Sequence, residues 1–448
     1  MMHLLALVLA TAQASEVETG GAVRTTARLG TAQCLSAPAS CGWLSFNDAA
    51  VFAPWVTARP SELVHTKAAL ELRAHGPSQV SSLEDTQETA RRQPWSVRVQ
   101  DAWVATRGTH IDTQLGVQRV AWGVGQGISV VDTINPYDLE NPTRFDQRLS
   151  TLSAVVTLHS GTLSLTAVGV PFFVPAALPQ TDVSLMAGAQ DVFEYDDVQV
   201  ASLQTRVTTP ESSLSNTAGA MQLRWSPSAV DLALSWSHGR DSIPQVDGDV
   251  LLVGYQTQSD RVDVGVPLTY PKLDVAGLTA RGRLPGGFSG WAEVARVMPE
   301  RTAAQASEAQ LQSLVQLGTL DEVPQPIPQT VTQTGSPFTR WLVGMDREVG
   351  PVRLTAQWLH GFFTERSADA LNHYGLAAVD LGLAPTVRVN LSVASDLDGW
   401  LCDTSVTWLV ADALEWQVGL THIQGGDTSA FGGLQSASNA RIQALMAF

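Results

Sequence analysis

The sequence predicts an all-β fold, a closed antiparallel transmembrane β-barrel with long extracellular loops. Three observations predict it: apolar and polar residues alternate along many segments, short turn sequences join these segments in pairs, and longer connections separate the pairs. A period of two places successive side chains on opposite faces of a strand, so each segment has one apolar face and one more polar face.

The N-terminal residues predict export. Apolar side chains from Leu4 to Leu9 precede Ala12-Gln13-Ala14, which has the small-x-small pattern of a signal-peptide cleavage site. We assign residues 1–14 to a signal peptide and residues 15–448 to the barrel. The rest of the chain has no apolar run of about 18 residues, so a membrane-spanning form must be a barrel.

The composition agrees with one large membrane architecture. Only 16% of the residues are charged and 44% are hydrophobic, and a lipid-facing band needs no charge. The net charge of −16 argues against nucleic acid as a partner. The sequence implies no cofactor.

The clearest alternation is Val387, Val389, Leu391 and Val393 against Arg388, Asn390 and Ser392. The same pattern recurs in paired segments on both sides of short turn sequences, which lie near residues 108–110, 160–161, 226–228, 285–287, 348–350, 385 and 412–413. Each pair is predicted to be a β-hairpin.

Longer connections are predicted at residues 76–94, 122–149, 171–218, 298–336 and 425–435, on the extracellular side. Counting from the segment of Ala68, Leu70 and Leu72 to the C-terminus gives about 18 strands, or 16 to 18 depending on residues 20–30 and 197–208. In the fourth connection Leu311, Leu314, Val315 and Leu317 predict either a short amphipathic helix or a surface loop.

Three cysteines suit an oxidising compartment if two of them pair. Cys34 and Cys41 are predicted to close a small disulfide ring, with two free thiols as the alternative. Cys402 lies on the apolar face of its segment and is expected to be a small packing group.

The last segment ends on an aromatic residue. Ala440, Ile442, Ala444, Met446 and Phe448 share one face of an alternating strand. A terminal Phe in this setting resembles the signature by which bacterial outer-membrane barrels are recognised for assembly. The resemblance implies that Phe448 is the assembly signal and that the barrel-assembly machinery and outer-membrane lipid are partners.

Residues 115–123 read LGVQRVAWG, and Ile134-Asn135-Pro136-Tyr137-Asp138 follows them. This stretch resembles part of a widespread group of uncharacterised bacterial outer-membrane proteins, in which a strand with Gly-Arg-Gln and Trp-Gly leads into an Asn-Pro loop. Val117 stands here where that group has Arg. The resemblance implies a barrel and transport of apolar compounds.

The face opposite the apolar residues is expected to line the lumen. Its charged members include six residues that we predict to line a channel: Arg98, Asp112, Arg224, Asp231, Arg353 and Arg388. Further members are Lys67, Glu71, Arg73, Asp403, Glu415 and Arg441. Such groups select solutes by charge, and the alternative is that they pair across a plugged barrel.

Signals for catalysis and metal binding are weak. The motifs Asp396-Leu397-Asp398-Gly399 and Asp247-Gly248-Asp249 lack the distal Glu of a calcium loop and are read as turns. Neither a zinc-binding helix motif nor a nucleophile elbow is present, so we predict no catalytic and no metal residues.

The function predicted from the sequence is therefore that of a Gram-negative outer-membrane channel or transporter for small-molecule solutes, not an enzyme. Two alternatives stay open: an outer-membrane enzyme whose site is assembled from separate strands, and a soluble secreted glycan-binding β-protein.

Overall fold

A computed structural model gives the fold; it describes residues 16–31, 43–44, 49–74, 95–141, 143–178, 199–211, 213, 216–256, 261–306, 331–426 and 429–448. Eighteen strands form the barrel: β1 Glu16–Gly30, β2 Ala50–Arg59, β3 Val64–Ala74, β4 Trp95–Arg107, β5 Ile111–Gln118, β6 Thr151–Ser160, β7 Leu163–Val170, β8 Ala218–Trp225, β9 Val230–Arg240, β10 Lys272–Leu284, β11 Phe288–Pro299, β12 Phe338–Val349, β13 Val352–His360, β14 His373–Ala384, β15 Val387–Ser395, β16 Gly399–Ala411, β17 Leu414–Gly425 and β18 Asn439–Ala447.

The barrel closes between its first and last strands. Strand β1 pairs antiparallel with β2 from Glu16 opposite Arg59 onward, and with β18 from Ala22 opposite Ala447 to Gly30 opposite Asn439. All the other barrel strands pair with their neighbours in the chain, also antiparallel. Closure leaves the backbone donors and acceptors of the wall paired with one another, as a membrane-spanning sheet requires.

Each wall strand divides its side chains as the alternation predicts. On β13, Leu354 and Trp358 point outward and are 48% and 41% exposed. Gln357 and Leu359, the two neighbours of Trp358 in the chain, point inward and are buried. Outward apolar rows of this kind recur around the barrel and have no second layer against them in the described chain. A soluble β-protein would bury these rows, so the structure disfavours the glycan-binding alternative.

The two ends of the barrel differ as expected. Short turns close one end, including the 3₁₀ turn Pro285–Gly287, and Phe448 lies at this end, where its backbone pairs with Gly21 and its ring stacks on Phe52 at 6.0 Å. The longer connections lie at the other end, with 3₁₀ turns at Ala368–Ala370 and Gly432–Ala437. We call these the turn end and the loop end.

The predicted count of 18 strands is confirmed, with one correction to its make-up. Strands β1 and β2 precede the Ala68 segment from which the sequence count began. The segment Gln199–Val207 is a strand, but it belongs to a separate six-stranded sheet with Gln245–Val246, Gly248–Gln256, Arg261–Thr269, Thr302–Ala306 and Val331–Thr334. This second sheet is built from loop-end connections.

Three predictions lie outside the described residues: the signal peptide at 1–14, the Cys34–Cys41 disulfide and the helix near Leu311. Cys402 is a half-buried free thiol on β16. Within the described chain, no helix has the length and apolar character needed to cross a membrane.

Candidate functional site

The connection between β5 and β6, residues 119–150, enters the lumen, and we call it the inward loop. Its base is held by the buried side chain of Asn135, whose Oδ1 accepts from the Val120 N–H at 2.7 Å. The Asn135 Nδ2 donates to the Leu149 carbonyl at 3.0 Å and to Thr151 Oγ1 at 3.2 Å. One side chain thus ties both stems of the loop, and it belongs to the Asn-Pro motif singled out in the sequence.

The loop turns back at Gly123, which has φ +100°. A Cβ on Gly123 would come within 2.2 Å of Ser129 Oγ and 2.7 Å of Glu293 Oε1. Both the left-handed conformation and the close approach therefore require glycine here.

Glu293 on β11 fastens this turn to the wall. Its Oε1 accepts from the N–H groups of Val124 and Gly125, the latter at 2.7 Å. Its Oε2 accepts from Ser129 Oγ and from the Val130 N–H, both at 2.8 Å. The side chain is only 1% exposed, and four donors around a carboxylate compensate the cost of burying its charge.

A second wall contact holds the tip of the loop. Gln357 on β13 accepts from the Gln126 N–H at 3.1 Å and donates to the Gln126 carbonyl at 3.3 Å. The same Gln357 oxygen accepts from Trp291 Nε1 at 3.0 Å. The Trp291 ring lies over Gly344, where an added Cβ would approach the indole within 2.4 Å. Glycine at this position makes room for the indole inside the barrel.

The far half of the loop is clamped by charge. Arg98 on β4 donates to Asp138 at 2.8 Å and to Glu140 at 2.6 Å, and Arg73 on β3 donates to Asp138 at 3.2 Å. Glu71 completes the group by accepting from Arg73 at 2.9 Å. Burial raises the pKa of Glu140 to about 7, against the opposing pull of Arg98, so this carboxyl titrates near neutral pH.

The pKa of a second carboxyl group in the inward loop is also shifted. Burial raises the pKa of Asp132 to about 6, although the neighbouring Arg148 guanidinium opposes the shift. Arg148 in turn lies over the Tyr137 ring at 3.3 Å from its centroid.

Apolar packing fills the lumen beside the inward loop. Tyr137 stacks on Phe363 at 4.2 Å, and Phe145 meets Phe362 edge-on at 5.2 Å. At the loop end the inward positions of the wall are themselves apolar and buried, among them Val275, Val297, Leu342, Leu359, Leu401 and Ile423. The expectation of a polar inner face is therefore wrong for this end of the barrel, because these positions pack against the loops.

A cavity of about 730 Å³ remains between the tip of the inward loop and the inner faces of β13–β18 and β1. Hydroxyl and amide side chains dominate its lining, together with a smaller apolar patch; the patch contains Phe145, Leu376 and Leu401, and the polar wall contains Thr355, Asn390, Ser392, Ser405, Gln417 and Gln443.

Charged groups line the cavity from both sides: the wall contributes Arg28, Arg388, Asp403, Glu415 and Arg441, and the inward loop contributes Arg144 and Asp146. Arg441 donates to both carboxylate oxygens of Asp403, at 2.6 and 2.9 Å, and to Thr421 Oγ1 at 2.8 Å. It reaches them across Gly419, where a Cβ would lie 2.7 Å from the guanidinium carbon. Arg28 stands directly opposite Arg441 across the β1–β18 pair, so two guanidinium groups share this stretch of wall.

The six predicted channel-lining residues are dispersed over the inner face. Arg388 lines the cavity, and Arg98 holds the inward loop. The other four lie near the turn end. All four are ion-paired within a hairpin: Arg224 pairs with Asp231 at 2.9 Å, Arg353 with Asp346, and Asp112 with Arg107 at 3.5 Å. Asp112 also contacts His159 at 3.2 Å.

Asp396 lies in a turn, as predicted, and also hydrogen-bonds a second connection at the loop end. Its carboxylate accepts from the Gly399 N–H at 2.8 Å, which is the bond of a turn, and from the Ala430 N–H at 2.7 Å, which joins the turn to the next loop-end connection. The side chain of Asp247 likewise accepts from the Ala303 N–H at 3.2 Å. Two histidine–carboxylate contacts, His159–Asp112 and His238–Asp274, lie at opposite ends of the barrel and on opposite faces, so they do not form one site.

Sequence reasoning missed the residues that position the inward loop. Glu293 and Gln357 lie on inward faces, but nothing local separates them from other lumen residues. Asn135 stands out in the sequence only as part of the Asn-Pro motif. Arg28 lies in the segment whose strand assignment the alternation left open.

No protein-family model matches the chain, and no curated protein matches it. Solved structures do align with it over almost its full length. The outer membrane protein OpdK of Pseudomonas aeruginosa is 10% identical, with 97% of this chain and 99% of that chain covered and a TM-score of 0.48. OccAB3 of Acinetobacter baumannii is 8% identical, with 97% and 99% covered and a TM-score of 0.49. OmpF of Salmonella typhi, in a complex with daunomycin, is 8% identical, with 98% and 99% covered and a TM-score of 0.42.

Proposed function

We propose that the chain is an outer-membrane channel that passes small solutes through the cavity beside the inward loop. The observation that carries the proposal is the cavity itself, about 730 Å³, bounded by a closed wall on one side and by an anchored loop on the other. A barrel with lipid-facing apolar rows and a polar cavity is suited to conduction across a membrane.

The lining favours solutes with a polar group and an apolar part. Hydroxyl and amide groups replace part of a solute's hydration shell, and the patch of Phe145, Leu376 and Leu401 accommodates its apolar surface. The cavity lining carries four arginines (Arg28, Arg144, Arg388 and Arg441) against three carboxylates (Asp146, Asp403 and Glu415), and this excess of positive charge favours negative charge on the solute. Transport of compounds that are apolar throughout receives less support from this lining than the sequence resemblance implies.

A pair of neighbouring substitutions tests the route. Ser392 lines the cavity, whereas Leu391, its neighbour on β15, points outward and is 40% exposed. Ser392→Trp should reduce single-channel conductance in planar bilayers by a large factor, because the indole fills the cavity. Leu391→Trp should leave the conductance unchanged, since aromatic residues are tolerated on the lipid face.

Equal conductance in the two variants would show that ions cross elsewhere. A wild-type protein that gives no conductance and no solute flux in any condition would overturn the channel proposal.

A further inference from the structure

Tryptophan and histidine side chains meet repeatedly on the outer face of the barrel at the loop end. Trp236 stacks on His238 with ring centroids 6.1 Å apart, and Trp400 lies 4.9 Å from His422. Between them, Trp341 and Trp358 surround a pair of histidines. We call the whole set the rim arc, made of Trp236, His238, Trp341, Trp358, His360, His373, Trp400 and His422.

The rim arc faces outward, in line with the lipid-facing rows. Trp236 continues the row of Leu234 on β9, and Trp358 continues the row of Leu354 on β13; all four are more than 40% exposed. The residues beside them, such as Ser235 and Leu359, are buried inside. The arc therefore occupies the loop-end border of the apolar band, over β9 to β17.

The turn end provides a comparison within the same molecule. Its border carries Trp225 and Trp408, which point outward, and Trp416, which lies directly opposite Trp408. The histidine contacts of the described tryptophans all lie at the loop end. Tryptophan side chains by themselves are enough to form an aromatic girdle at a membrane interface. The presence of histidines beside the tryptophans at the loop-end border therefore needs a separate explanation.

The centre of the arc is a cross-strand histidine pair. His360 on β13 and His373 on β14 are directly opposite each other, with ring centroids 4.4 Å apart. Trp358 Nε1 donates to His373 Nδ1 at 3.2 Å, which leaves the other ring nitrogen of a neutral His373 as an N–H donor. Two imidazolium rings at this separation repel each other unless an anion lies between them.

The charged neighbours of the histidines are few. His238 Nδ1 contacts Asp274 on β10 at 2.9 Å. Glu365 of the 361–372 connection interacts electrostatically with His360. His422 lies opposite Cys402. Arg296 on β11 is exposed and donates to Thr339 on β12 at 3.0 Å, which adds a permanent cation to the same border.

We propose that the rim arc binds the phosphate groups of anionic lipids in the outer leaflet, more tightly as the pH falls through the histidine titration. A histidine that gains a proton carries a positive charge and offers N–H donors to a phosphate oxygen, and aromatic rings beside it provide a favourable surface for a cation. A phosphate oxygen shared by His360 and His373 removes their mutual repulsion. The inference rests on the proposed membrane location of the barrel and is independent of conduction.

Quenching of tryptophan fluorescence by brominated lipids tests it. The full-length protein is reconstituted in vesicles of phosphatidylcholine with phosphatidylglycerol, with the bromine placed on one lipid or the other. The wild-type protein should prefer brominated phosphatidylglycerol more strongly at about pH 5 than at about pH 8, by about fivefold for each charge gained.

This pH dependence should be lost in a quadruple variant that combines His238→Gln, His360→Gln, His373→Gln and His422→Gln. A control with His65→Gln, His110→Gln and His159→Gln should keep it, because these histidines lie away from the outer border of the loop end. A pH dependence that survives in the first variant, or is absent from the wild type, would overturn the inference.

Two further outcomes identify other failures. Abolition of the preference by inorganic phosphate in solution would overturn the lipid as the ligand and assign the site to free phosphate. Absence of quenching by either brominated lipid would contradict the membrane location itself, whereas absent conductance with normal quenching would contradict only the channel.

Discussion

Removing the charge of Glu293 is the sharpest test of how the inward loop is held. Its carboxylate accepts two hydrogen bonds on each oxygen, from three backbone N–H groups and one hydroxyl. Glu293→Gln keeps the size of the side chain but replaces one oxygen by an NH₂ group. Two of the four donors then face another donor.

The magnitude follows from those two lost bonds. A hydrogen bond to a charged group contributes about 1.5–3 kcal/mol, so the substitution should lower the free energy of opening the turn by about 3–6 kcal/mol. Since 1.4 kcal/mol is about a factor of ten in an equilibrium, amide exchange in residues 123–131 should become at least about 100-fold faster. The strands should keep their protection, because the barrel wall is paired independently of the loop.

Hydrogen exchange with peptide-level mass spectrometry measures this directly, and single-channel recording should show conductance that fluctuates between levels as the loop moves. Asp231→Asn is the matched control, because it makes the same acid-to-amide change on an inward face near the turn end, where Asp231 pairs with Arg224. Unchanged exchange in residues 123–131 of Glu293→Gln would refute the anchoring role of this carboxylate.

Three other expectations follow. Burial raises the pKa of Glu140 to about 7 in the folded protein, so the folded loop binds more protons than the unfolded chain between about pH 4 and 7. The stability of the loop should therefore fall as the pH rises through that range. Hydrogen exchange corrected for intrinsic rates should show more opening of the loop at pH 8 than at pH 5, and Glu140→Gln should remove most of the difference. Asp403→Asn releases Arg441 from its carboxylate and should shift the reversal potential in a salt gradient toward anion selectivity; an unchanged potential would mean that this wall does not face the conducting path. Deletion of Phe448 should reduce the yield of folded barrel in cells, read from heat-modifiable gel migration, and an unchanged yield would dismiss it as an assembly signal.

Strand β1 shows the limit of predicting strands from the alternation of apolar and polar residues. Its outward positions include Gly21, Thr25 and Ala27, which carry little apolar contrast, so alternation left this segment open. It forms a strand because closing the barrel requires it to pair with β2 and β18 together. Arg28, one of the charged groups of the cavity, could not be placed until that strand was known.

By itself, the sequence determined the division of side chains between the two faces of most wall strands and the antiparallel hairpins of a barrel, since period-two alternation and short turns act between residues close in the chain. The closing pairs of β1 with β2 and β18 came only with the tertiary structure. Only the tertiary structure decided which of the inward residues hold the 119–150 loop and which line the cavity. The contacts of Glu293 and Gln357 with that loop join residues 163 to 231 positions apart, and no local pattern specifies such pairs. They arise when the wall closes and brings distant strands around one shared interior.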